Sequence, residues 1–86
     1  MPYVSMFFGI IIRMFYDEHN PPHFHAEYQG QRASFDLNGN LINGRFKSNT
    51  AKSLIKKWAK LHQKELMENW DRARRAGKIR KIDPLD

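Results

Sequence analysis

The apolar pattern of this chain changes period once, near Ser48, and that change limits the fold more than any other feature. Before it, apolar and polar residues alternate in short runs separated by turn-forming pairs. After it, Ala51, Leu54, Ile55, Trp58 and Leu61 recur at helical spacing. Alternation of period two belongs to strands and a period near 3.6 to helices. The chain therefore reads as α+β: a small antiparallel β-meander followed by one long bent helix or two consecutive helices.

Four strands are expected. Residues 4–16 form a continuous Ile-, Phe- and Met-rich run with Gly9 as a bend or bulge, as in a strand covered on both faces. Pro21 and Pro22 forbid helix and set an extended approach. Residues 23–28 alternate cleanly, and Gln29-Gly30 is a turn. Residues 32–37 and 40–46 flank Asn38-Gly39, a strong hairpin signal. Ser48, Asn49 or Thr50 can cap the helix that follows. Leu66, Trp70 and Ala73 align with each other but sit roughly 100° away from the earlier stripe, counting 100° per residue. The helix is thus expected to bend, break or change packing partner between His62 and Leu66. Trp58 belongs to the core stripe, and His62, on the same face, reads as a core histidine. Gly77 suits a helix end, and the alternating tail can add as an edge strand or clasp a partner.

With 86 residues and 41% hydrophobic content, one domain is expected over 1–86: sheet over 1–46, helical layer over 48–76, extended tail over 77–86. A core this thin gains from added buried area, so a homodimer or a protein partner is a natural expectation. Cysteine is absent, which removes disulfides, thiolate nucleophiles and Cys-based zinc sites and fits a reducing, cytoplasmic setting. The apolar run near the N-terminus is interrupted by Arg13 and falls well short of the roughly 20 residues that span a bilayer, so no membrane association is expected.

Charge is unevenly distributed. Residues 1–44 hold two basic side chains, Arg13 and Arg32, against four acidic ones; residues 45–86 hold thirteen against five. Lys52, Lys56, Lys60 and Lys64 recur every four residues opposite the apolar stripe, with Lys57 beside them. Such a face suits RNA or an acidic protein, and equally a solvated helix surface. Trp70, out of phase with the stripe, and Arg74 are the other candidate binding residues.

The chemistry-bearing cluster is His19, His23 and His25. On a strand, His23, His25 and Glu27 share one face while Phe24, Ala26 and Tyr28 share the other. Three uses of that face compete. His23 and His25 can serve as acid and base in RNA cleavage, with Arg13 meeting the phosphate charge. His23 and His25, with His19 or Glu27, can instead hold a divalent metal such as zinc; the catalytic use needs no cofactor. Or the imidazoles simply pack and hydrogen-bond, and Arg13 pairs with Glu27 or Asp36 across strands.

The run from Ile10 to Met14, then Asn20-Pro21-Pro22-His23-Phe24-His25-Ala26-Glu27-Tyr28, resembles a bacterial family described as a domain of unknown function with an N-x-P-H-F-H-A-x-Y core. The resemblance continues through Trp58, His62, Glu65-Leu66, Asn69-Trp70 and Ile82 to Leu85. It implies one half of a small two-gene, toxin–antitoxin-like module, and hence a small protein partner encoded next door.

Overall fold

The computed structural model describes residues 3–16 and 18–86. Strands β1 (Tyr3–Phe7), β2 (Ile10–Arg13), β3 (His23–Tyr28), β4 (Gln31–Asp36) and β5 (Leu41–Gly44) form one antiparallel sheet in sequence order. Helices α1 (Asn49–Leu61) and α2 (Gln63–Arg74) follow. The α+β meander with two consecutive helices is thus the fold. Among the described residues, no helix is long and apolar enough to cross a membrane.

The sheet has five strands, not four, because residues 4–16 fold back on themselves. Phe8 and Gly9 both adopt positive φ, 51° and 79°, and close a two-residue turn that pairs Phe7 with Ile10. Gln29 and Gly30, at 48° and 78°, close the β3–β4 turn in the same way and pair Tyr28 with Gln31. Two successive left-handed residues match the twist of the strands they join, and glycine supplies one of them without steric cost. An apolar run reads the same whether it is one strand or two, so the break at Gly9 looked like a bend.

The expected hairpin at Asn38-Gly39 is present but with a wider loop, residues 37–40, joining β4 to β5. Asp36 organises it: its Oδ1 accepts from the backbone N–H of Asn38 and of Asn40, each at 2.9 Å. Gly39 is required twice over. Its φ is +86°, and a Cβ there would lie 2.6 Å from the Cα of Lys56, so α1 packs directly on this turn.

One sheet face carries the core. Ile10, Ile12, Phe24, Ala26, Ala33 and Phe35 are buried on it, and α1 covers them with Ala51, Ile55, Trp58 and Ala59. Ser48 caps α1, its hydroxyl accepting from the N–H of Ala51 at 3.0 Å. The expected discontinuity occurs at His62, whose φ of −125° and ψ of 26° end α1 and start α2. His62 is half-buried rather than a core residue; its ring lies against Trp58 and its Nδ1 meets Glu65 Oε1 at 2.6 Å. Beyond it, Leu66, Asn69, Trp70 and Ala73 are the buried face of α2.

The tail is not a strand but closes over its own sheet. Ile82 donates its N–H to the carbonyl of Val4 on edge strand β1, and Ile79 and Ile82 are buried. Asn69, 1% exposed, grips the backbone of Arg80 on both sides, donating to its carbonyl and accepting from its N–H. At the end of α2 the left-handed residue is Ala76, φ 57°, and not the expected Gly77. A side chain in that region costs about 1 kcal/mol or more. Ala76→Gly is therefore expected to stabilise the protein by about 1 kcal/mol, read as a raised midpoint in urea with an unchanged m-value.

Candidate functional site

Alternation along β3 places the site. Phe24 and Ala26 are completely buried and Tyr28 packs partly against the core, while His23, His25 and Glu27 are half-buried on the opposite face. The strand register adds neighbours: Arg13 of β2 and Ser34 of β4 flank His25 on either side.

The loop between β2 and β3 brings in a residue that strand periodicity does not reach. Glu18 Oε1 lies 2.7 Å from His25 Nε2 and 3.6 Å from His23 Nε2. The remaining ring nitrogens are also engaged. His23 Nδ1 is 2.8 Å from the carbonyl of Pro21, and His25 Nδ1 is 3.3 Å from Ser34 Oγ. A carbonyl oxygen only accepts, so His23 Nδ1 carries a proton and, in the neutral ring, Nε2 turns a lone pair toward Glu18.

Packing fixes the rings. Trp70 of α2 lies 5.3 Å from His23, Phe15 meets His25 edge-on at 4.7 Å, and the two imidazoles are 5.1 Å apart. The Asn20–Pro21 peptide bond is cis, and Asn20 Oδ1 accepts from Arg74 Nη1 at 3.0 Å, which ties the loop to the end of α2. Imidazole, carboxylate and hydroxyl thus converge on a half-buried point with little rotamer freedom left.

The other candidate residues are placed as follows. Arg13 Nε donates to Glu27 Oε2 at 2.8 Å, so this carboxylate faces the guanidinium, one of the pairings the sequence allowed. His23 and His25 are together, while Arg13 is engaged beside them. His19 is exposed and outside the three-residue cluster that can share an ion, which is Glu18, His23 and His25. Asp17, just upstream of Glu18 in sequence, lies outside the described residues. Lys56, Lys57, Lys60 and Lys64 are exposed and Lys52 half-exposed along the helices. Trp70 is 3% exposed, and both it and Arg74 contact the histidine loop rather than extending the lysine surface.

Sequence reasoning missed Glu18, Ser34, Phe15 and the Pro21 carbonyl. Ser34 was legible in principle, since a two-residue turn at Gln29-Gly30 sets it opposite His25. Glu18 was not, because an irregular loop has no period. The Arg13–Glu27 pair is about a quarter exposed on both sides, and such pairs contribute little beyond local order. Glu27→Gln is expected to cost no more than about 1 kcal/mol, with chemical-shift changes in β2 and β3 and none in the rings of Trp58 or Trp70.

Residues 9–71 match a family model described as Domain of unknown function (DUF4160). No curated protein and no solved structure matches the chain. The match runs from the β1–β2 turn through the histidine strand to Trp70 and beyond it by one residue, and the chain belongs to this family of unknown function.

Proposed function

We propose that this protein is the basic member of a cytoplasmic two-protein, toxin–antitoxin-like module, and that it docks a small acidic partner through the lysine face of α1. One observation carries the reading. Helix α1 contains four lysines and no acidic residue, and Lys52, Lys56 and Lys60 stand at successive i,i+4 positions. Like charges at that spacing destabilise a helix by about 0.2–0.5 kcal/mol per pair. The stripe works against the isolated fold, and an acidic surface laid along it removes that repulsion and gains attraction. A second copy of the chain on this face would only bring like charges together. The two-protein setting rests on the family resemblance.

RNA is the competing occupant, and a ribonuclease reading asks more of the structure. It needs Arg13 to meet a phosphate, yet Arg13 is already engaged by Glu27. Docking on α1 needs no such release.

Lys56→Glu separates the possibilities because its two effects have opposite sign. It converts two repulsive i,i+4 pairs into attractive ones, so the isolated protein is expected to gain about 1–2 kcal/mol of stability. Affinity for the small protein encoded next door is expected to fall tenfold or more, and wild-type affinity to fall steeply with added salt. Unchanged partner affinity in the variant would sink the docking surface. Tight, salt-sensitive binding of a generic single-stranded RNA, with no binding of the partner protein, would assign the stripe to RNA instead.

A further inference from the structure

We propose that Glu18, His23 and His25 form a binding site for one divalent transition-metal ion, with zinc the best fit. One potential ligand atom from each of the three residues lies within 4.8 Å of the others, and Glu18 Oε1 stands 2.7 Å from His25 Nε2 and 3.6 Å from His23 Nε2. Ligands bound at about 2.1 Å in tetrahedral array stand about 3.4 Å apart. The observed spacings bracket that value, so closing on an ion needs only small side-chain adjustments.

The hydrogen bonding around the cluster is that of a prepared site. A metal-bound imidazole presents one nitrogen to the ion and gives the other to an oxygen, which fixes the ring and its tautomer. Both histidines do this. Nδ1 of His23 is held by the Pro21 carbonyl and Nδ1 of His25 faces Ser34 Oγ, leaving both Nε2 atoms directed at the same carboxylate oxygen. Without an ion and with both rings neutral, one Nε2 can satisfy Glu18 by donating, that of His25. Neutral His23 then sets a lone pair against a carboxylate oxygen at 3.6 Å, two acceptors facing each other. A cation between the three atoms resolves that opposition.

The residue types select the ion. Two imidazoles and one carboxylate are borderline ligands that suit zinc and its neighbours and not calcium or magnesium, which take oxygen. The side chains are 12–30% exposed, so an ion can enter. Three protein ligands leave a coordination position for water or another donor, as in open rather than closed zinc sites. Glu27 is excluded by its bond to Arg13, and exposed His19 is not needed.

The experiment uses the full chain, freed of metal by chelator and titrated with zinc chloride against a chromophoric competitor. One equivalent is expected to bind with a dissociation constant in the micromolar range or tighter, and to raise the melting temperature by several degrees. X-ray absorption should show nitrogen and oxygen neighbours only. Glu18→Gln and His25→Gln, each checked for native circular dichroism, are expected to weaken binding by about 100-fold, and Ser34→Ala by about 10-fold. His19→Gln and His62→Gln should leave it unchanged. No binding by the wild type at 100 µM zinc, on the order of a hundred times the expected dissociation constant, would overturn the site. So would equal loss from the His19 or His62 variant, which would mark adventitious surface binding. Should the ligand variants fail to fold, the Ser34→Ala result and the absorption spectrum decide: a change in neither overturns the proposal.

Discussion

Trp58 is the side chain on which every layer of this small protein converges. It is fully buried on α1 and lies 5.4 Å from Phe7 of β1 and 5.6 Å from Phe24 of β3. Its indole N–H donates to the carbonyl of Asp83 at 2.8 Å, so the same residue fastens the C-terminal tail. Removing a core tryptophan costs about 3–5 kcal/mol, against a total stability of about 5–15 kcal/mol for a domain. Among the described residues the buried apolar side chains form one cluster, so that loss falls on the whole core. The sheet, the helix and the tail are held as one unit because one aromatic ring touches all three.

The histidine site depends on that arrangement at one remove. Trp58 sets the position of α1, and the ring of His62 rests on it where the helix breaks. The break turns α2, and the turn brings Trp70 against His23 and Arg74 against Asn20. An unbroken helix would keep the phase of the first stripe and aim Trp70 elsewhere. The loop carrying Glu18 is thus held from the helical side by Arg74 on Asn20 and from the sheet side by His25, which meets Glu18 itself at 2.7 Å and Phe15 edge-on.

What could be read from sequence follows the regular elements. The faces of β3 were legible because period two leaves no freedom once Phe24 and Ala26 are assigned to the core. The helix break was legible because the Leu66–Trp70–Ala73 stripe is out of phase and no proline or glycine intervenes. The β1–β2 hairpin was not. Its turn uses Phe8 in a left-handed conformation, which an aromatic residue rarely adopts, so nothing before Gly9 marked it. Glu18 escaped for a different reason. It reaches the histidines through the path of an irregular loop, and a path of that kind is decided by tertiary contacts such as Asn20 with Arg74, not by local pattern. Glu27 was the natural choice for a carboxylate near the histidines, since it shares their face, but its strand neighbour Arg13 holds it.

The sheet separates the two surfaces of interest. Phe24 and Phe35 point to the side covered by α1, whereas His25 and Ser34 point to the other. Lys56, Lys57 and Lys60 are exposed on α1, away from its buried face, and α1 covers the side of the sheet opposite His25. A macromolecule lying along those lysines therefore has no need to cover the histidine cluster, and a small ligand at the cluster has no need to displace it. Two elements connect them: α2, which meets α1 at His62 and the loop at Asn20, and β3, whose Phe24 packs on Trp58 of α1. Any influence of one surface on the other has to pass through the buried packing of β3 or the orientation of α2. Its anchors are a buried leucine, a buried asparagine bonded to Arg80 of the tail, and a tryptophan against the imidazole of His23. The geometry thus sets the two surfaces on opposite sides of one sheet, with Trp70 and Arg74 of α2 on the histidine side.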